Sequence, residues 1–422
     1  MNYLSVTLDK LNTGANVFLT GGAGVGKTTI TREVIAHFES EAKKVAKLGS
    51  TGMAATLIGG QTLHSFFDLG IAGDLLALEK NGKFEIKKKI KKLINAMHII
   101  VIDEISMVSD TLFEMIQLRL KQADFQGSLL VVGDFLQLPP VVRGSKEVKF
   151  AFESSAWFEM AFEKLELTHI YRTDDAKFIE LLHHIRFGYV DEDVHNALNE
   201  FIKPLPHELS KFTLLFGKNI SADFHNKRQL DSLDSELFVK HAEIIKHQSS
   251  ANEREIERFM GDARIEKELA LKVGAPVLFT RNSWNYFNGE RGEVVNIDGT
   301  YVYVQKSDAK VVKLEKVAQS KSIWKEKTVE GKRELVEENL FSIYQYPIKL
   351  GFAITIHKSQ GMSIEDLVIE TNEIFAPSQF YVALSRSSNP QNLILIAPQK
   401  QWYTLAYVNA KAMAFVNNKE VG

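Results

Sequence analysis

Cysteine is absent from the 422-residue sequence. Its absence excludes a disulfide scaffold, a thiol nucleophile, cysteine zinc sites and iron–sulfur clusters, and it fits a reducing, cytoplasmic setting. Proline is scarce at 9 residues and glycine stands at 26, which leaves little material for long flexible linkers. No run of about 18 apolar residues occurs, so no membrane span is expected. The opening segment MNYLSVTLDK has neither the cationic nor the apolar stretch of a secretory signal. An excess of one charge is also missing: 51 Lys and Arg face 53 Asp and Glu, a formal net charge of −2. If such a chain binds nucleic acid, its basic surface must be local, confined to a groove or stripe.

What is present is an ordinary globular balance, 45% hydrophobic and 25% charged, on a chain long enough for several domains. Continuous apolar runs closing on polar residues recur. Val17-Phe18-Leu19 enters a glycine loop, Ile99-Ile100-Val101-Ile102 ends at Asp103-Glu104, and Leu129-Leu130-Val131-Val132 ends at Gly133-Asp134. Such runs read as parallel strands covered on both faces, with functional groups at their carboxyl ends. A second set follows at 212–216, 367–369 and 393–396. Between them, Val294–Ile297 and Tyr301–Val304 flank the hairpin signal Asp298-Gly299. The expectation is an α/β protein with two parallel sheets. Residues 1–64 with 94–168 form the first lobe, and 169–268 with 346–422 the second. An antiparallel, barrel-like insertion occupies 269–345, and a short insertion 65–93.

Gly21, Gly22, Ala23, Gly24, Val25, Gly26, Lys27 and Thr28 fit the pattern G-x-x-x-x-G-K-[ST]. A strand precedes them, and Thr29 continues into a helix with Ile30, Val34 and Phe38 at helical spacing, which is the context the motif requires. The glycines turn backbone N–H groups onto phosphates, and the helix N-terminus adds its positive end. Lys27 is expected on the β- and γ-phosphates of ATP and Thr28 on Mg2+. Asp103 at a strand end is a second Mg2+ ligand, and Glu104 is placed to polarise the attacking water. Gln137 reads either as a γ-phosphate sensor or as a plain loop amide.

Further segments narrow the class. Thr51-Gly52-Met53-Ala54-Ala55, Gln61-Thr62-Leu63-His64-Ser65-Phe66-Phe67, Gly133-Asp134-Phe135-Leu136-Gln137-Leu138-Pro139-Pro140, Tyr171-Arg172-Thr173, Thr355-Ile356-His357-Lys358-Ser359-Gln360-Gly361 and Tyr381-Val382-Ala383-Leu384-Ser385-Arg386 follow in this order. The set resembles superfamily 1 DNA helicases of the Pif type, with RecD-like and Dda helicases as relatives, over about residues 11–397.

The resemblance implies two RecA-like lobes with ATP between them, and 5′-to-3′ movement on single-stranded DNA with unwinding at single-strand–duplex junctions. It makes Arg386 an arginine finger, Arg172 a second γ-phosphate cation, and Gln360 and Gly361 nucleotide contacts. It places Thr51, Thr62, His64, Asn282, His357 and Lys358 on DNA. The expected form is a monomer, and no protein partner is named.

The sequence departs from the family at three points. No glutamine precedes Gln61 to read adenine, Thr173 follows Arg172 where the family has glutamine, and Met53 stands where lysine is common. Trp284, Tyr286 and Phe287 are either stacking platforms for bases or insertion core. The lysine-rich run Lys83–Lys92 is either a solvated amphipathic helix or a basic face beside a strand-separating wedge. Two rival readings are a RecD-like motor subunit of a recombination nuclease complex and a P-loop switch that hydrolyses ATP without moving.

Overall fold

The computed structural model describes residues 2–50, 54–55, 58–70, 72–141, 147–263, 265–329 and 332–418. The first lobe is built on β1 (Val17–Gly21), β2 (Val45–Gly49), β3 (Gln61–Thr62), β4 (Ile99–Asp103), β5 (Ser128–Val132) and β6 (Glu163–Leu167). They form one parallel sheet in the order β3-β2-β4-β5-β1-β6. β1, β4 and β5 are buried at every position, which is why they read as unbroken apolar runs. One face packs on Leu11, Val34, Ile35 and Phe38. The other packs on Phe113, Ile116, Phe152 and Trp157.

The second lobe carries β7 (Thr213–Phe216), β18 (Ala353–Thr355), β19 (Leu367–Ile369) and β20 (Leu393–Leu395), parallel in the order β18-β7-β19-β20. Its larger core joins Phe178, Leu182 and Ile185 to Phe380, Leu384 and Trp402, and it takes in Ala23 and Leu138 from the first lobe. The two α/β lobes are therefore in apolar contact at the phosphate loop.

Between β7 and β18 the chain builds antiparallel structure. β11 (Pro276–Phe279), β12 (Arg291–Ile297), β13 (Val302–Lys306), β14 (Val311–Leu314) and β17 (Ile348–Leu350) make a five-stranded sheet in the order β14-β13-β12-β11-β17. The β12–β13 turn is the Asp298-Gly299 hairpin, where the Asp298 carboxylate accepts from the amides of Thr300 and Tyr301. The antiparallel region starts earlier than residue 269: β8 (Leu237–His241) pairs with β10 (Glu268–Lys272), and β9 (Glu243–Lys246) pairs with β16 (Lys332–Gln345). β15 (Val317–Val329) and β16 form a long two-stranded ribbon. The ribbon reaches the first lobe, where Trp324 packs on the core and Lys44 Nζ donates to the Leu335 carbonyl at 3.0 Å.

Two more elements cross the expected boundaries. The helix Ala410–Val416 returns to the first lobe, burying Ala412 and stacking Phe415 on Phe152 at 4.2 Å between ring centroids. Within 65–93, the helix Lys88–Asn95 buries Leu93 and Ile94. Lys83 and Lys87 pair with Asp68, and Lys91 with Asp124, so these lysines of the run are tied into local ion pairs. No helix among the described residues is long and apolar enough to cross a membrane.

Candidate nucleotide cleft and nucleic-acid interface

The phosphate loop leaves β1 and enters the helix Lys27–Ser40. Gly24 has φ +77°, and a Cβ there would lie 2.9 Å from the Arg172 Cβ, so only glycine lets the loop pass under the 171–172 segment. Lys27 opens the helix and curls back, its ammonium donating to the carbonyls of Gly21 at 2.7 Å and Gly22 at 2.8 Å. Burial lowers its pKa, and Asp134 and Glu104 oppose that shift. Thr28 follows half-buried and Thr29 is exposed.

Asp103 closes β4 and is 6% exposed, with its Oδ1 accepting the Glu104 amide at 2.9 Å. Burial, and then the Glu104 carboxylate, push it up to about 7. Glu104 holds φ 54° and ψ 50°, a left-handed conformation uncommon for a residue other than glycine, asparagine or aspartate. Burial raises its pKa too, against the pull of Lys27 and Arg386.

Two guanidiniums approach from the other side, Arg386 acting on the Glu104 carboxylate and Arg172 lying against the phosphate loop at Gly24. Arg386, 2% exposed, donates to the carbonyls of Val382 at 3.0 Å and Ser359 at 3.2 Å and to the Ser385 hydroxyl at 2.8 Å. Arg172 donates to the Ser363 hydroxyl at 3.0 Å and the Ser385 carbonyl at 2.6 Å. Every one of these acceptors is neutral. Burial pushes Arg386 down to about 9, with Arg172 as the next cause, and burial pushes Arg172 down to about 10. Two cations, one buried and one half-buried, that repel each other and have no carboxylate in ion-pair range among the described residues suit an incoming polyanion. Gln360 Nε2 beside them is buried without a hydrogen-bond partner, a donor left for a ligand. Gly361 follows, exposed, at φ +77°.

Gln137 lies 6% exposed in the loop after β5, its Nε2 at 3.4 Å from Asp134 Oδ2. Two residues not singled out from the sequence join the cleft. The Tyr381 hydroxyl accepts the Ala23 amide at 2.8 Å, and Arg186 grips Asp134 through two bonds of 3.0 Å. Tyr381 stood inside a recognised segment, whereas Arg186 gave no signal beyond a cation at a helix end. The hydroxyl of Thr28 and the carboxylate of Asp103 are hard oxygen donors of the kind Mg2+ takes, so the residues fit that ion.

The DNA-side candidates are more dispersed. Thr62 and His64 line a cavity of about 500 Å³ closed from the insertion by Asn252, Arg254 and Phe259. Asn282 lines a second, of about 520 Å³, with Arg281, Lys349 and Tyr346. Gly60, Phe259, Ala263 and Ser322 border both, so the two adjoin beside the β15–β16 ribbon.

Asn282 also accepts the Asn288 amide at 2.7 Å, shaping the loop 282–289. In that loop Trp284 is 93% exposed and Phe287 67%, while Tyr286 is 6% exposed and stacks on Phe279. The loop ends at Gly289, φ +87°, where a Cβ would sit 2.6 Å from the Met362 Cβ, so it rests directly on the 360–363 segment. His357 and Lys358, in the short turn after β18, are half-buried and line neither cavity, and Lys358 Nζ is 4.0 Å from Asp223. Thr51 and Met53 lie outside the described residues.

Comparison with known proteins agrees with the resemblance carried by the motifs. The profile of the family described as PIF1-like helicase matches residues 5–196. The chain is 38% identical over 420 residues to the ATP-dependent DNA helicase Pif1 of Campylobacter jejuni, covering 95% of this chain and 93% of that protein. It is similar to the crystal structure of Bacteroides sp Pif1 in complex with ADP-AlF4, with TM-score 0.83 and 25% identity over 99% of this chain and 96% of that one. The Bacteroides Pif1 structure bound to ssDNA gives TM-score 0.64 at the same identity and the same coverage.

Proposed function

The chain belongs to the PIF1-like helicase family, and from that membership we propose an ATP-dependent DNA helicase that moves 5′ to 3′ on single-stranded DNA and unwinds duplex at junctions. ATP is hydrolysed in the cleft between the two lobes. The observation that carries this reading is the pair Arg386, buried on neutral acceptors and acting on Glu104, and Arg172, half-buried on neutral acceptors against the loop of Lys27.

The chemistry follows from these groups. The amides of Gly21–Thr28 and the Lys27 ammonium hold the β- and γ-phosphates once Lys27 leaves the carbonyls of Gly21 and Gly22. Thr28 and Asp103 would hold Mg2+, which when bound neutralises phosphate charge. Glu104 orients a water in line with the γ-phosphorus and takes its proton. The oxygen–phosphorus bond forms as the bond to the bridging oxygen breaks. Arg386 and Arg172 meet the charge that spreads over the γ-phosphoryl oxygens, and Gln137 and Gln360 report its presence. Both arginines are held by second-lobe atoms, so hydrolysis depends on closure, and closure becomes the motor stroke.

On the DNA side, Thr62, His64, Asn282 and Lys358 grip the backbone without reading sequence. The contact of Gly289 with Met362 joins the DNA loop to the nucleotide segment. Strand displacement on matched duplexes with a 5′ or a 3′ tail tests the reading. Release of the 5′-tailed strand only, and only with ATP, is expected. Release of the 3′-tailed strand alone reverses the polarity, and ATP turnover indifferent to single-stranded DNA without any release removes the motor.

A further inference from the structure

Arg186 ends the helix Ala176–Arg186, whose Phe178, Leu181, Leu182 and Ile185 belong to the second-lobe core. Its guanidinium nevertheless crosses to the first lobe. Nε donates to Asp134 Oδ2 and Nη2 to Oδ1, each at 3.0 Å, a forked pair whose side chains are 9% and 0% exposed. Asp134 is not an end point. Its Oδ1 also accepts the Leu136 amide at 3.1 Å, its carbonyl accepts the Gln137 amide at 2.9 Å, and Oδ2 lies 3.4 Å from Gln137 Nε2. One carboxylate therefore holds both the turn that carries Gln137 and the side chain itself, and the cation that fixes the carboxylate comes from the opposite lobe. Arg186 also passes the phosphate loop, its Cδ 3.7 Å from where a Cβ on Gly22 would stand.

We propose that Arg186 is a positioning residue: through Asp134 it sets the Gln137 amide for the γ-phosphate, and does so only while the lobes are closed. The inference rests on the reading of Gln137 as the γ-phosphate sensor. A planar fork suits this task, because two parallel bonds fix the orientation of the carboxylate as well as its charge. Lysine in its place keeps the charge and loses the orientation. A buried pair of this kind gives little net stability but leaves an uncompensated charge when broken, so the conservative change is the informative one.

The test is a cycle of Arg186→Lys, Gln137→Ala and the double variant, read as DNA-stimulated ATP turnover with kcat and KM separated. Arg186→Lys is expected to lower kcat at least about tenfold with KM for ATP held within about threefold, and Gln137→Ala is expected to add less than about threefold on top of it. Should Arg186→Lys fail to fold, Asp134→Asn replaces it and is read in the same way. Wild-type turnover in the Arg186 variant, a change confined to KM, or full multiplication of the two losses would each overturn the proposal. A silent Gln137→Ala in the wild-type background overturns the sensor reading and this inference with it. Strand displacement by the unaltered protein still decides the motor separately.

Discussion

In the cleft between the parallel sheets Arg386 is 2% exposed and Asp134 1%, and each of these two side chains is held by two or more partners. In the loop 282–289 Trp284 is 93% exposed, and Asn282 accepts the Asn288 amide of that same loop. On the reading proposed above, the two sites would handle phosphates under different demands. Hydrolysis needs charges fixed before the reaction in a poorly hydrated site, where they act most strongly. A translocating grip must bind and release repeatedly, and modest contacts to backbone and base faces allow that. The cleft should therefore fail sharply when one group is removed, and the groove should weaken by degrees.

The largest effect tests the sharp side. Lys27→Ala takes away the ammonium that lies against Gly21 and Gly22 and should abolish DNA-stimulated hydrolysis; a coupled phosphate-release assay that still shows such turnover would remove Lys27 from the phosphate site. Arg386→Ala should come next, keeping nucleotide binding by fluorescent-analogue titration while turnover falls at least about tenfold, roughly 1.4 kcal/mol of barrier. Unchanged turnover would make Arg386 a structural residue and erase the contrast between the two regions.

How far each region is legible in the sequence follows the same division. Gly21–Thr28, Asp103 and Glu104 are contiguous motifs at strand ends, and the parallel order of β4, β5 and β1 brings them together. Arg186 is hidden because its partner Asp134 is 52 residues away and a cation in the last turn of a helix is ordinary in any case. β15 and β16 are hidden for another reason. Charged residues run along both strands, and the apolar contacts that hold the ribbon, Trp324 on the first-lobe core and Phe341 and Ile343 in a core with Ile256 and Met260, depend on partners distant in sequence. The return of Ala410–Val416 to the first lobe depends on Phe415 meeting Phe152, a contact no local pattern encodes. Trp284, Tyr286 and Phe287 lie within four positions, and only the packing of Tyr286 on Phe279 separates core from surface.

That separation sets the third prediction, on the gradual side. Trp284→Ala should weaken single-stranded DNA binding by about 1 kcal/mol, the low end for a base on an aromatic ring, with little effect on the DNA-free melting temperature. Fluorescence anisotropy with a labelled oligonucleotide reads the first and a thermal melt the second. A large drop in melting temperature with unchanged DNA affinity would return Trp284 to the insertion core.

The smallest effect concerns Lys358, whose ammonium is 4.0 Å from Asp223 and whose side chain is one-third exposed. A lysine on a DNA phosphate displaces a counterion, so Lys358→Ala should reduce the slope of log affinity against log salt by about 1 and weaken binding alike for every base sequence. Binding isotherms at several salt concentrations on two unrelated oligonucleotides measure both. If the slope stays the same, Lys358 serves Asp223 rather than DNA, and the grip at this end of the second lobe rests on Asn282 and its loop. If the slope falls and ATP turnover at saturating DNA falls with it, the two regions are coupled at this segment, since Lys358 is two residues from Gln360 and the loop of Asn282 rests on Met362.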